Sequence, residues 1–467
     1  MFKTFSRMPD VSVTGLLGEM GPGLTTGLRI TELKNASEGL GHLSLSLFFA
    51  AISGNRVVWP LFRGHLGEML LQARNFWRPI RTAKVPVEMY KDVIWRLYFE
   101  KSLEASDRAL IFNQPFIFSN LSIRQILDRV RKPVFLGPKI STVGYNFFIT
   151  SDSRPMRVSP GTRLIARYHD PIPILHPDTF PDDYAVKQHF WLAKHAVTRA
   201  HFVCNSIATE HEVVSIFPQL RGRTTTIPYA LPEIDAAKIP KLNLHDVFRT
   251  RASAVTAPTR QTTREPFERG TADPAKAPRY IMGLSTLEPR KNFEGLIRAW
   301  ERIKFRFDPQ LKLVIVGRPG WRFEKTLDAI RPHVARGDLI HLQDLPFAEI
   351  LLLYRQAECF VFPSFAEGFG FPPMEALQCG TPAIASDLPV HRWVGGGAVH
   401  YCDPYDVEDI AQKIWELVID EKRELLRNRL LAAAPGVLSR FTIEKVAIQW
   451  RELFARLLRG DAPNSDI

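Results

Sequence analysis

An α/β protein with parallel, doubly wound sheets is what this sequence predicts, and three observations predict it. Short, almost wholly apolar runs such as Leu311–Gly317 alternate with amphipathic helical stretches, as strands covered on both faces do. The stretch Cys359–Pro382, CFVFPSFAEGFGFPPMEALQCGTP, reads as strand, glycine loop and helix start in direct succession. The chain of 467 residues is long enough for two domains of ordinary size.

Bulk properties narrow the function. A hydrophobic fraction of 45% and a charged fraction of 24% are those of a soluble globular protein. The longest apolar run, Leu43–Ile52, is too short to span a bilayer, and the N-terminal MFKTFSRMPD lacks the apolar core of a signal peptide. Cys204, Cys359, Cys379 and Cys402 have no metal-ligand spacing and sit in apolar surroundings, which predicts buried thiols in a reducing cytoplasm. The net charge of +12 is read first as a solvated basic surface. The sharper alternative is attraction to anionic lipid headgroups or to a phosphate-bearing acceptor, hence peripheral contact with the inner face of a membrane. No basic-aromatic surface or recognised module points to nucleic acid.

Taken in order, residues 1–235 are expected to form the first domain. Its start is punctuated by Gly15, Gly18, Gly21, Gly23 and Gly27, and Glu38-Gly39-Leu40-Gly41 precedes Leu43–Ile52. No opening strand is evident there. Val57–Leu61 reads as a strand, and the sequence from there to Lys132 as mostly helix, anchored by Trp77, Trp95, Tyr98 and Phe99. Its many basic residues among aromatics suit a membrane face, but an ordinary amphipathic helix over a core is the favoured reading. Tyr145–Thr150 and Arg163–Tyr168 read as strands, the second running into His169-Asp170-Pro171 at a strand end, where open α/β sheets bind ligands. Tyr184–Arg199 reads as helical, and Ala200–Glu210 as strand, polar turn and helix start. Residues 236–278 are expected to be a linker or insertion, partly disordered, because Ala252–Pro278 carries few sizeable apolar residues.

A second domain is expected over 279–440, opening with a strand at Arg279–Leu284, a loop at Ser285–Arg290 and a helix from Asn292. Phe293, Leu296, Ile297, Trp300 and Ile303 recur at helical spacing, which marks a core face. Strands follow near Leu339–Leu342, Cys359–Pro363, Pro382–Ser386 and Val399–Tyr401. Between the strand at Cys359 and the prolines Pro372 and Pro373, which suit the first turn of a helix, lies the loop Glu367–Phe371. Free backbone N–H groups and the helix dipole make such a junction an anion cradle. Glu367 and Glu375 flank it, and carboxylates beside an anion site are expected to face hydroxyls rather than phosphates. Two solvated acids on a surface loop are the plain alternative. Residues 441–467 are expected to contain a terminal amphipathic helix, Ile443–Leu458.

EGFGFPPMEAL, with Glu367 and Glu375 separated by seven residues, resembles the double-glutamate signature of retaining glycosyltransferases of family 4. The segment RYHDPIPILHP resembles that family's HD-x-x-P element, EPRKN its diphosphate loop, and AHFVCNSIATE the strand, turn and helix start closing its first domain. The similarity is strong over 279–458, moderate over 160–232 and weak before 140. It implies a GT-B architecture: two Rossmann-like domains facing a cleft, with the terminal helix crossing back onto the first.

The same resemblance implies roles. Arg290 and Lys291 would hold the diphosphate of a nucleotide-sugar donor, GDP-mannose by preference or a UDP-sugar, and no cofactor or metal would be needed. Glu375 would accept from ribose hydroxyls and Glu367 from the donor sugar, with the backbone of Gly368, Phe369, Gly370 and Phe371 helping to hold it. His169 would approach the transferred sugar. Many members carry a further arginine five residues before Arg290; this chain has Ser285 there, which leaves more of the charge to Arg290 and Lys291. The expected acceptor is a glycan or lipid-linked intermediate. A nucleotide-sugar 2-epimerase or glycan synthase on the same architecture, and a basic surface-binding protein without catalysis, are the alternatives.

Overall fold

The structure, a computed structural model, describes residues 1–17, 82–84, 87–99, 103, 105–119, 140–150, 153, 156–179, 189, 191–193, 200–234, 243–251 and 278–460. The strands are β1 (Gly15–Leu17), β2 (Thr82–Lys84), β3 (Phe116–Ser119), β4 (Phe147–Thr150), β5 (Arg163–Tyr168), β6 (His201–Cys204) and β7 (Thr224–Thr226) in the first part of the chain. The second part holds β8 (Tyr280–Leu284), β9 (Lys312–Val316), β10 (Leu339–Leu342), β11 (Phe360–Phe362), β12 (Ala383–Ser386) and β13 (Val399–Cys402). They form a parallel four-stranded sheet, β4-β5-β6-β7, and a parallel six-stranded sheet, β10-β9-β8-β11-β12-β13. β1, β3 and β2 make a small third sheet.

The six-stranded sheet is buried on both faces because its residues alternate between two apolar clusters. Tyr280, Met282, Val314 and Val316 enter one, with Met374 and Leu377, while Ile281, Leu313 and Ile315 enter the other. The helical face expected from Phe293, Leu296, Ile297, Trp300 and Ile303 fills the second cluster, on the helix Phe293–Arg306. Burying a side chain of this size stabilises the fold by about 1.5–3 kcal/mol, and the indole of Trp300 also donates to the Leu311 carbonyl at 3.1 Å. The strand order turns back between β8 and β11, so the loops that follow these two neighbours lie side by side. That topology puts EPRKN next to EGFGF.

The four-stranded sheet is covered on one face by Trp191, Leu192, Val213 and Phe217. Its other face is closed by the helix Ile443–Arg459, whose Val446, Trp450, Leu453 and Phe454 pack on Ile165, Val203 and Ile227. Arg456 of that helix donates to Thr225 Oγ1 at 2.6 Å. The end of the chain therefore completes the core of the first domain.

Three readings need correction. Gly15 lies in β1, paired in parallel with β3, where no opening strand was evident. β2 and β3 interrupt a stretch read as mostly helix; the FIFS run of β3 gains its strand partners only through long-range pairing. Within the expected linker 236–278, Leu244–Arg251 is a helix, and its Leu244, Val247 and Phe248, spaced i, i+3, i+4, are buried in the second-domain core. Trp95 is also core, its ring centroid 6.0 Å from that of Phe99 and 6.3 Å from that of Phe112. The strand read at Val57–Leu61, Trp77, the glycines from Gly18 to Gly41 and Ala252–Ala277 lie outside the described residues. All four cysteines are buried free thiols, and no helix among the described residues is long and apolar enough to cross a membrane.

Candidate functional site

The site is assembled at the carboxyl ends of β5, β8 and β11. After β8 the chain turns through Pro289–Lys291 to Asn292, which sits at φ 54° and caps the helix Phe293–Arg306 by accepting from the Gly295 amide at 3.1 Å. A side chain at position 295 would collide with that cap, 2.4 Å from Asn292 Oδ1. This turn directs Lys291 inward, where it is buried, with Arg290 beside it.

After β11 the loop is tied to the first by the Phe365 amide, which donates to the Arg290 carbonyl at 2.8 Å. Gly370 stands at φ 89° with the His391 ring 3.1 Å from where a Cβ would be, so a glycine is required. The helix Phe371–Gln378 then starts on its two prolines. Across the cleft, His169 and Asp170 follow β5. The His169 carbonyl would be only 2.8 Å from a Cβ on Gly368, so the first domain rests directly on the glycine loop. Trp321 Nε1 reinforces the closure by donating to the Thr179 carbonyl at 2.5 Å.

The charges converge on Glu367. Its Oε1 accepts from Lys291 Nζ at 2.6 Å and its Oε2 from Arg290 Nη1 at 3.3 Å, while Arg290 also reaches Glu288 at 3.1 Å and the Ala366 carbonyl at 3.2 Å. Burial would raise the Glu367 pKa, but Lys291 and Arg290, with a smaller contribution from His391, outweigh it and hold the carboxyl down at about 2. Burial lowers the Lys291 ammonium, with Glu367 opposing that shift. The Arg290 guanidinium is raised: burial works against the charge, and Glu367, Glu288 and Asp170 overcome it. Asp170, its Oδ1 accepting from the Ile172 amide at 3.1 Å, is pushed up by burial with Arg290 opposing.

Glu367 therefore does not simply face hydroxyls beside an anion site, as its position suggested. Both of its oxygens rest on the cations assigned to the diphosphate, which turns three separate assignments into one ion-paired unit. A carboxylate offers about four lone-pair directions, so room is left for a ligand hydroxyl.

Glu375 stands apart. It is the fifth residue of the helix Phe371–Gln378 and accepts from the Tyr354 hydroxyl at 3.1 Å. Burial pushes its carboxyl up, and the Tyr354 bond only partly counters this. Phe369 is buried and Phe371 partly so, their ring centroids 4.9 Å apart. Both rings pack against Tyr229 of the first domain, so their side chains join the domains while their backbones line the cradle. His169 is exposed and hydrogen-bonds through Nδ1 to the Tyr229 hydroxyl. Asp170 was legible as the second half of the His-Asp pair. Glu288 stood in view as the first residue of EPRKN but was given no role, and Tyr229 and His391 carried no motif that would have singled them out.

With this geometry in view, comparisons place part of the chain. Residues 265–434 match the family model described as glycosyl transferases group 1, less than half of the sequence. That segment contains Arg290, Lys291, Glu367–Phe371 and Glu375, while His169 and Tyr229 lie outside it. The O-antigen chain mannosyltransferase B of Escherichia coli is 33% identical over 156 residues, 33% of this chain and 41% of that protein. The serotype-specific mannosyltransferase WbdA of Escherichia coli is 31% identical over 185 residues, 39% of this chain and 22% of that protein. The chain thus spans less than half the length of these relatives. Among solved structures, a sucrose-phosphate synthase from Thermosynechococcus elongatus aligns with a TM-score of 0.49 and 17% identity, covering 68% of this chain and 75% of that one. The two parallel sheets meeting at their carboxyl ends have the α/β GT-B arrangement.

Proposed function

We propose that this chain is a retaining glycosyltransferase of the family 4 type. It moves a hexose, mannose by preference, from a nucleotide-diphosphate sugar to a glycan or lipid-linked acceptor in polysaccharide or lipopolysaccharide synthesis. The observation that carries the reading is the Arg290–Lys291–Glu367 unit at the mouth of a glycine loop, pressed against His169 of the opposite domain. Breaking the bond between sugar and diphosphate leaves negative charge on the phosphates. Two buried or half-buried cations and the N-terminus of the helix Phe371–Gln378 are already oriented there, so stabilising that charge needs little reorganisation. On this reading no metal is required.

The diphosphate competes with Glu367 for Lys291 and Arg290, and Glu367 keeps its remaining lone pairs for hydroxyls of the transferred sugar. Glu375 accepts from the ribose, and backbone N–H groups of Gly368–Phe371 hold the sugar. Retention follows from front-face attack, in which the leaving oxygen takes the acceptor proton and no enzyme nucleophile forms a covalent intermediate. The similarity to two bacterial mannosyltransferases supports mannose and supports a polysaccharide acceptor. The net charge of +12 supports work on the cytoplasmic side, in peripheral contact with an anionic membrane.

The test is a panel of GDP- and UDP-sugars scored for free nucleotide release with a polysaccharide-precursor acceptor. GDP-mannose is expected to give the fastest release. Calorimetric binding of GDP and UDP without release from any donor would point instead to a binding protein on this fold, and inversion at the anomeric carbon would overturn the stereochemical reading.

A further inference from the structure

Beside the ion-paired unit stands an aromatic pair that the donor reading leaves unused. Phe365, on the loop after β11, and Tyr405, on the loop after β13, stack with ring centroids 4.9 Å apart and planes at 27°. Phe365 is half-buried, whereas Tyr405 is 73% exposed. Both loops are pinned to the EPRKN turn. The Phe365 amide donates to the Arg290 carbonyl at 2.8 Å, and Asn292 Nδ2 donates to the Pro404 carbonyl at 2.8 Å. Asn292 and Asp406 cap the helices Phe293–Arg306 and Val407–Val418, whose apolar residues fill the second cluster of the six-stranded sheet. Leu231 and Phe441, where the chain passes between the domains, are buried in the first cluster, on the opposite face. The pair therefore lies at the carboxyl edge of the sheet, flanking Arg290 and Asn292 on the side away from those crossings.

The charges around Tyr405 limit what can rest on it. Asp403 and Asp406 flank it in sequence, and both are exposed. Asp403 Oδ1 accepts from the Tyr405 amide at 2.9 Å, and Asp406 Oδ1 from the Glu408 amide at 2.8 Å. A carboxylate offers about four lone-pair directions, so each of the two keeps capacity for a ligand hydroxyl. Two carboxylates repel a phosphate, whether it comes from a lipid headgroup or a nucleotide. An uncharged hexose meets both features, with an apolar ring face for the phenol and hydroxyls for the acids. We propose that Phe365 and Tyr405 form a platform on which an uncharged hexose ring of the acceptor stacks, against the exposed face of Tyr405. Phe365 backs the tyrosine ring, and the bonds to Arg290 and Asn292 hold the platform in fixed relation to the diphosphate cations. Assigning the hexose to the acceptor rests on the glycosyltransferase reading, in which Glu367 and the glycine loop already take the donor sugar.

The experiment is saturation-transfer NMR on the full-length protein, with the methyl α-pyranosides of mannose, glucose and galactose as probes. Irradiating the aromatic protons is expected to saturate the ring protons of at least one probe. Tyr405→Ala should weaken that signal about fivefold, while Tyr405→Phe, which keeps the ring, should retain it. Calorimetric affinity for GDP and UDP should stay within about twofold in both variants. A probe signal unchanged in Tyr405→Ala, or no signal from any probe, overturns the proposal. Loss of nucleotide affinity in Tyr405→Ala overturns it in favour of a base resting on the ring. If neither GDP nor UDP binds the unaltered protein, the donor reading falls, and the probe signals by themselves still decide whether Tyr405 holds a hexose.

Discussion

The loop ending at Gly370 and the helix beginning at Phe371 each carry one glutamate, and their surroundings act on the two in opposite senses. Glu367 is buried against two cations, which hold its carboxyl down at about 2. Glu375, eight positions later, has the Tyr354 hydroxyl as its one hydrogen-bond partner among the described residues, and burial pushes its carboxyl up. Two residues of one motif therefore make different contributions: Glu367 is part of the fold's charge balance, whereas Glu375 is buried beside a neutral hydroxyl and has no cation to offset its burial among the causes that shift it.

The strongest way to break this contrast is Glu367→Ala. It leaves Lys291 buried without its carboxylate, so unfolding free energy should fall by about 3–5 kcal/mol in denaturant titrations. A loss no greater than that of a surface glutamate would mean the ion-paired unit is not real.

Proton linkage sharpens the same contrast. The folded pKa of Glu367, about 2 against the ordinary 4.5, contributes stability that is complete above 4.5 and disappears as pH falls toward 2. The full effect is roughly 3 kcal/mol. Glu375 has a raised folded pKa, so it has the opposite sign: it costs nothing below 4.5 and lowers stability as pH rises through its folded value. Subtracting the pH–stability curves of Glu367→Ala and of Glu375→Gln from that of the unaltered protein should give differences of opposite slope. Parallel differences would erase the distinction.

Next in size comes Lys291→Met, which keeps the apolar stem and removes the charge from the diphosphate side. Turnover should drop about a hundredfold. A matched Tm with unchanged kcat would remove Lys291 from the chemistry. Glu375→Gln follows, with affinity for the donor and for the free nucleoside diphosphate both weakened about tenfold by calorimetry. Its stability at neutral pH should hold steady or rise, because a buried charge is gone. Equal and large destabilisation by Glu375→Gln and Glu367→Ala would contradict the asymmetry. The smallest expected effect is none: saturating chelator should leave turnover intact, and activity restored only by magnesium would show that Arg290 and Lys291 do not suffice.

Much of the second domain was legible because its signals are local. The apolar runs at Lys312–Val316 and Leu339–Leu342, the proline start at Phe371–Gln378 and the cap at Asn292 each lie within a few residues of what they specify. The first domain was harder, since β1 and β3 are recognisable as strands only when paired across a hundred residues of sequence. Leu244–Arg251 was hidden by its neighbour, a polar stretch that made the whole segment look like linker.

The sequence by itself determined which residues are the candidates for the chemistry: a histidine at a strand end, a basic pair before a helix and two glutamates around a glycine loop. Tertiary structure decided what each of them meets. That Glu367 neutralises Lys291 and Arg290 follows from β8 and β11 being neighbours in the sheet, an order no local pattern encodes. That Tyr229, sixty positions from His169, meets its ring depends on two chain segments and a loop of the other domain closing on one point. Local propensity acts over a helical turn or a strand, while charge pairing and ring contacts act over a few ångströms of space, and only the folded chain converts the first into the second.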